Sequence, residues 1–135
     1  MSDARGTAEL RIIGLGGIPE ISPGDDLAAA VGGAVERSGL GLLDGDVLVV
    51  THKIVSKAEG RLVDLRTVEP SALASAWSAA WWKDPRQVEV VLREAKRIVR
   101  MDRGVIIAET RHGFYCANAG VDASNVAAET VCLLP

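Results

Sequence analysis

Val47-Leu48-Val49-Val50-Thr51-His52-Lys53-Ile54-Val55-Ser56-Lys57-Ala58-Glu59-Gly60 changes character in its middle. Val47 to Val50 is a continuous apolar run entered from the turn residues Asp44-Gly45-Asp46, the pattern of a strand buried on both faces. Thr51 then stands where a helix N-cap is wanted. His52 to Glu59 reads as a short helical segment and Gly60 as its stop. A strand feeding directly into a helix points to an α+β chain. Arg61 to Asp64 follows as a further strand.

The flanks extend the same picture. Glu9 to Ile13 is rich in β-branched residues and reads as a short strand. Gly14-Leu15-Gly16-Gly17-Ile18-Pro19 follows as a loop. It partly matches a dinucleotide fingerprint but lacks the third glycine and the helix at the required spacing, so a Gly/Pro turn is the simpler reading. Asp25 can cap a helix from Asp26 to Ser38, on the spacing of Leu27, Val31, Ala34 and Val35. Asp25 and Asp26 also form a candidate metal pair, but capping accounts for both.

Ser71 can cap a helix through Leu73 and Trp77. Trp81 and Trp82 are adjacent, so they cannot both face one core; covering a core edge is the simpler role, a binding surface the alternative. Asp84-Pro85-Arg86-Gln87 is a helix start, with Asp as cap, Pro in the first turn and Gln three residues on. The apolar stripe Val88, Val91, Leu92, Ala95, Ile98 and Val99 carries that helix onward. Glu89 and Arg93 support its exposed side. Val105 to Glu109 and Phe114 to Cys116 read as strands joined through Thr110-Arg111-His112-Gly113, with Glu109 facing Arg111 as a structural ion pair. Val131 to Leu134 is a final strand. Ending beside Pro135, it suggests a chain that continues in its relatives or pairs with another. The expected architecture is a mixed sheet with two or three packed helices in a single domain, residues 1–135.

Composition bounds the function. With 48% hydrophobic and 24% charged residues, the chain has the make-up of a globular protein with a real core. A net charge of −3 excludes a global basic field, so no nucleic-acid partner is expected and any anion site must be local. No apolar run approaches the ~20 residues of a membrane span. Met1 to Thr7 lacks the apolar core of a signal peptide. Cys116 and Cys132 sit among apolar residues without metal-ligand spacing and read as buried free thiols of a cytoplasmic protein; a disulfide or catalytic cysteine is the alternative.

Two segments carry candidate chemistry. In the first, Lys53 and Lys57 are four apart and share one side of a helix start, where free N–H groups and Ser56 favour a phosphate. The plain alternative is two solvated lysines. In the second, Ala117-Asn118-Ala119-Gly120-Val121-Asp122-Ala123-Ser124-Asn125, small residues separate polar ones. Asp122 offers a hard carboxylate of the kind Mg²⁺ or Mn²⁺ prefers, and Asn125 a donor and an acceptor. A polar surface turn with Asx-type hydrogen bonds fits the same residues. His52 and His112 are candidate acid–base groups without an evident partner, so surface or hydrogen-bonding roles are simpler.

Gly17-Ile18-Pro19-Glu20-Ile21, Pro23-Gly24-Asp25-Asp26-Leu27, Asp44-Gly45-Asp46, Thr51 to Arg61, Lys83-Asp84-Pro85-Arg86, Arg93-Glu94 and Cys116 to Asn125 follow one another across nearly the whole chain. Together they resemble the coenzyme F420-0:L-glutamate ligase (gamma-glutamyl ligase) family, and more narrowly its N-terminal part. The resemblance implies a cytoplasmic, homodimeric, GTP-dependent ligase of coenzyme F420 biosynthesis. It would join L-glutamate to coenzyme F420-0 by an amide bond through an acyl-phosphate. GTP would be the co-substrate, with Mg²⁺ or Mn²⁺ and K⁺ as a further candidate cation. It places Ile18, Pro19, Glu20, Ile21, Lys57 and Asn125 at the nucleotide and Asp122 at a metal-ligand position. His52 stands where many relatives have Ser, so its nucleotide contact is a departure. No catalytic residue follows from it. The family's catalytic region is longer than this chain and holds further metal ligands, while Mg²⁺ seeks octahedral coordination. A non-catalytic GTP or phospho-ligand module, a half-enzyme needing a C-terminal complement, and a structural oligomer subunit are the alternatives.

Overall fold

The computed structural model describes residues 9–135; the reading of Met1 to Thr7 lies outside them. Among the described residues, four α-helices and two small antiparallel sheets make an α+β fold. The helices are α1 (Leu27–Arg37), α2 (His52–Ala58), α3 (Ala72–Trp81) and α4 (Pro85–Glu94). One sheet pairs β1 (Leu62–Asp64) with β5 (Thr130–Cys132). The other has the order β2 (Ala95–Asp102), β3 (Val105–Thr110), β4 (Tyr115–Ala117). The class is the one expected. The single mixed sheet is replaced by two antiparallel ones, because successive strands here are joined by tight turns or by one long-range pairing and not by parallel crossovers.

Caps fix the helix starts. Asp26, not Asp25, caps α1, accepting from the Ala29 N–H at 3.0 Å, while Asp25 accepts from the Ser22 N–H at 2.7 Å. Ser71 accepts from the Ala74 N–H at 3.2 Å, and Asp84 from the Arg86 N–H at 2.8 Å. Such caps each stabilise a helix by about 1 kcal/mol. Thr51 precedes α2 without a side-chain cap.

α4 stops at Glu94, five positions short of the expected stripe's end at Val99, and the chain continues as β2. Two register shifts interrupt β2, between Ala95 and Arg97 and between Ile98 and Arg100. A bulge inserts an extra residue and turns the strand period of two into a local three. Ala95, Ile98 and Met101 therefore all reach the core from a strand, at a spacing that imitates a helix. Arg103 and Gly104 both have positive φ, 47° and 76°, which suits the tight β2–β3 hairpin turn. In β3 the alternation is regular, with Ile106, Ala108 and Thr110 buried. Glu109 pairs across the sheet with Lys96 at 2.8 Å and Arg97 at 3.1 Å. Arg111 instead donates to the Arg93 carbonyl, so the expected Glu109–Arg111 pair is not formed. The Glu89–Arg93 pair forms, at 2.9 Å.

The main core packs Ala74, Val88 and Val91 of α3 and α4 onto Ile106 and Ala108 of β3 and onto Ala119. A second cluster gathers Leu65, Val68, Val90, Val131 and Leu133 around the β1–β5 pair. Val121 touches both. Cys116 and Cys132 are free thiols; Cys132 is buried, Cys116 partly so.

Two expected strands do not form. Glu9 to Ile13 and Val47 to Val50 join no ladder among the described residues. Val47 is 82% exposed and Val49 92%, the reverse of a strand buried on both faces. Apolar β-branched residues give a strand preference, but a strand also needs a hydrogen-bonding neighbour, and none among the described residues adjoins these runs.

Candidate functional site

The segment after β4 turns sharply through a 3₁₀ turn at Asn118–Gly120, where Asn118, Ala119 and Gly120 all have positive φ. An isolated antiparallel bridge then ties Asp122 to Cys132, through N–H to O bonds of 2.9 and 2.8 Å. The β1–β5 sheet thereby holds Asp122 to Asn125 beside α2.

Lys53 of α2 reaches across to this segment. Its ammonium lies 2.8 Å from the Asp122 carboxylate and donates to the Ser124 carbonyl at 2.8 Å and hydroxyl at 2.6 Å. Ser124 also donates to Asp122, from its N–H at 2.7 Å and its hydroxyl at 2.9 Å. The Lys53 ammonium, followed by the Ser124 N–H, pulls the Asp122 carboxyl down to about 2 from 3.8. It is ionised at any physiological pH.

One helical turn on, Lys57 pairs with Glu20. The two side chains differ in freedom: Lys57 is 12% exposed and Glu20 81%. The cation is held and the carboxylate can leave into water. Glu20, Ile21, Lys57 and Asn125 line one cleft of about 560 Å³, together with Pro23, Leu62, Val126 and Thr130. Asn125 sits there with φ 54°, a conformation Asn tolerates better than most residues.

Four of the sequence-nominated residues are thus brought together. Ile18 and Pro19 belong to the same loop but do not line the cleft, and neither does His52, which is exposed at the start of α2. Asp122 lies beside the cleft, three residues before Asn125, bound to the helix that carries Lys57. Sequence reasoning missed Thr130 and Leu62. They arrive through the β1–β5 pairing, which joins positions far apart in the chain and leaves no local periodic trace. Lys53, read as either a phosphate ligand or a solvated lysine, is neither in this structure: it is committed to Asp122 and Ser124.

Among the described residues no group of three or more His, Cys, Asp and Glu side chains is placed to hold a metal ion. One carboxylate already engaged by an ammonium does not fit an octahedral cation. No helix of the described residues is long and apolar enough to cross a membrane.

The family model for F420-0:gamma-glutamyl ligase matches residues 16–135. The chain is 44% identical over 117 residues to the coenzyme F420:L-glutamate ligase of Methanothermobacter thermautotrophicus, covering 87% of this chain and 46% of that protein. It is 48% identical over 116 residues to the protein of the same name from Methanopyrus kandleri, covering 86% and 44%. Against that of Halorubrum lacusprofundi the identity is 38% over 132 residues, covering 93% and 50%. The chain spans about half the length of these relatives. The matched span takes in α1, α2, the cleft and the Asp122–Asn125 segment together, and on that match the chain belongs to the F420-0:gamma-glutamyl ligase family.

Proposed function

We propose that this chain is the nucleotide-binding, N-terminal part of a GTP-dependent ligase that adds L-glutamate to coenzyme F420-0. The observation that carries the reading is the single cleft uniting Glu20, Ile21, Lys57 and Asn125. The names of its relatives support the substrates. An amide bond does not form from a free carboxylate and an amine at useful rates. The acceptor carboxylate attacks the γ-phosphorus of GTP, GDP leaves, and the acyl-phosphate forms. The amine of L-glutamate then attacks the acyl carbon and inorganic phosphate departs.

Such a route requires of the protein mainly positioning and the neutralising of phosphate charge. Lys57 suits the neutralising role. Its largely buried stem holds the ammonium in place, and exchanging Glu20 for phosphate oxygens costs little because Glu20 is free to be solvated. Lys53 has the positioning role, locking Asp122 and Ser124 to α2 so that Asn125 forms a fixed wall. Mg²⁺ or Mn²⁺, with K⁺ as a further cation, belongs to the proposal as counter-charge, with ligands mainly outside the described residues. A homodimer also belongs to it, supported by the apolar Val47–Val50 run left exposed; sedimentation at a single monomer mass would remove that part.

The test is GTP-dependent incorporation of L-glutamate into coenzyme F420-0, by this chain alone and mixed with a polypeptide supplying the rest of a relative's length. Product is expected in the mixture. Its absence from both rejects the ligase reading. A non-catalytic nucleotide-binding module is the second reading, favoured by the absence, among the described residues, of a group of three or more His, Cys, Asp and Glu side chains placed to hold a metal ion. It requires GTP with Mg²⁺ to raise the melting temperature without turnover in either case.

A further inference from the structure

Asn125, Val126, Ala127 and Thr130 line the cleft, yet the loop that carries them gains little from the core. Asn125, Ala127, Ala128 and Glu129 are exposed. Among the described residues, the bonds of Ala127 and Ala128 run only to Thr130. Asn125 and Glu129 both have positive φ, 54° and 59°, a region that L residues avoid. Local preference therefore does not hold this loop in its shape. One tie lies just before it, where Lys53 of α2 grips Asp122 and Ser124. The other is Glu129. Its carbonyl accepts from the Leu65 N–H at 2.7 Å, and its carboxylate from Arg86 Nη1 at 2.5 Å. Arg86 is itself fixed: Asp84 accepts from its Nε at 3.0 Å and its Nη2 at 2.6 Å. A guanidinium can serve two carboxylates at once through separate N–H groups. Behind it, α4 is anchored in the core by Val88, Val90 and Val91. Arg66, a further cation whose charge is felt at Glu129, is taken up by Asp64 at 2.6 to 3.1 Å. Arg86 does not line the cleft.

We propose that Arg86 is a positioning residue of the cleft: clamped by Asp84 at the start of α4, it holds Glu129 and so keeps the Asn125–Thr130 loop in the shape that receives the ligand. Lys53 and Arg86 then pin the two ends of one wall, from α2 and from α4. Lys57 is bonded to Glu20 and not to this loop, so releasing the loop leaves the phosphate-binding cation where it is. The role in binding rests on the nucleotide reading of the cleft; the hold on the loop does not.

The test compares the full chain with Arg86→Met, Glu129→Met and the double variant. Arg86→Met spares the cap of α4, because Asp84 caps through a backbone N–H; Glu129→Met breaks the same tie without touching α4. Amide hydrogen exchange of the unliganded proteins should be about tenfold faster at Leu65 and Thr130 in each variant, and unchanged from Ile106 to Thr110 of β3, the mark of a local opening. Calorimetry should show GTP with Mg²⁺ bound about tenfold more weakly by each single variant, because the ligand must then order the loop. Affinity for inorganic triphosphate should stay at the wild-type value, and the double variant should be no weaker than either single one, as expected of two residues acting through one bond. Unchanged exchange at Leu65 and Thr130, exchange raised equally in β3, additive losses in the double variant, or equal losses for GTP and triphosphate would each overturn the proposal. No GTP binding by the wild type would overturn the nucleotide reading and the binding role with it, whereas wild-type binding with undiminished affinity in both single variants overturns the role of Arg86 alone.

Discussion

Replacing Lys53 by Met removes the ammonium that ties Asp122 and Ser124 to α2 while keeping most of the apolar stem. The fall of the Asp122 carboxyl from 3.8 to about 2 corresponds to roughly 2.4 kcal/mol, at about 1.4 kcal/mol per pH unit. That figure is an upper limit for Lys53. Ser124 contributes two of the hydrogen bonds, and the Asp122 side chain is 38% exposed, so solvent screens the pair. About 1 kcal/mol is left for the lysine. Because the folded-state value is depressed, this stabilisation is fully present above 3.8 and is lost as pH falls through about 2. Urea unfolding of the two proteins should therefore differ by about 1 kcal/mol near neutrality and converge at the acid end. Carboxyl ¹³C titration should show Asp122 moving back towards 3.8 in Lys53→Met. Equal stability near neutrality, with Asp122 still titrating near 2, would refute the assignment and give the whole effect to Ser124.

Two backbone positions yield further expectations. Trp82 ends α3 in the left-handed region, φ 49° and ψ 46°, and is 94% exposed; Trp82→Gly should raise unfolding stability by about 1 kcal/mol, and no gain in urea midpoint would contradict the strain. Gly120 has φ 75°, and a Cβ there would come within 2.5 Å of Leu134 Cγ. Gly120→Ala should cost roughly 1–3 kcal/mol and lower the melting temperature; an unchanged melt would mean that the final residues yield freely.

Local chemistry was legible where it acts locally. Ser71 and the Asp84-Pro85 pair mark the starts of α3 and α4 because a cap involves residues two or three apart. The end of α4 was not legible, since bulges in β2 place Ala95, Ile98 and Met101 at a helix-like spacing and only the pairing with β3 decides between the two. Val47 to Val50 misled for the converse reason: composition signals a strand but supplies no neighbour. At the site, the four-residue spacing of Lys53 and Lys57 was visible, but their division of labour was not. Lys53 meets Asp122 and Ser124 through a fold that brings distant positions together, and Lys57 meets Glu20 in the same way. The grouping of Glu20, Ile21, Lys57 and Asn125 rested on family resemblance, and the cleft they line also takes in Leu62 and Thr130 from the β1–β5 pair.

Calorimetric titration of GTP with Mg²⁺ into the wild-type chain, Lys57→Met and Lys83→Met bears most directly on the proposal that the cleft takes a nucleotide. Wild type and Lys83→Met should bind alike, and Lys57→Met about thirtyfold more weakly, the equivalent of a charge-assisted hydrogen bond of roughly 2 kcal/mol. Undiminished binding by Lys57→Met, or no binding by the wild type at millimolar nucleotide, would contradict the account.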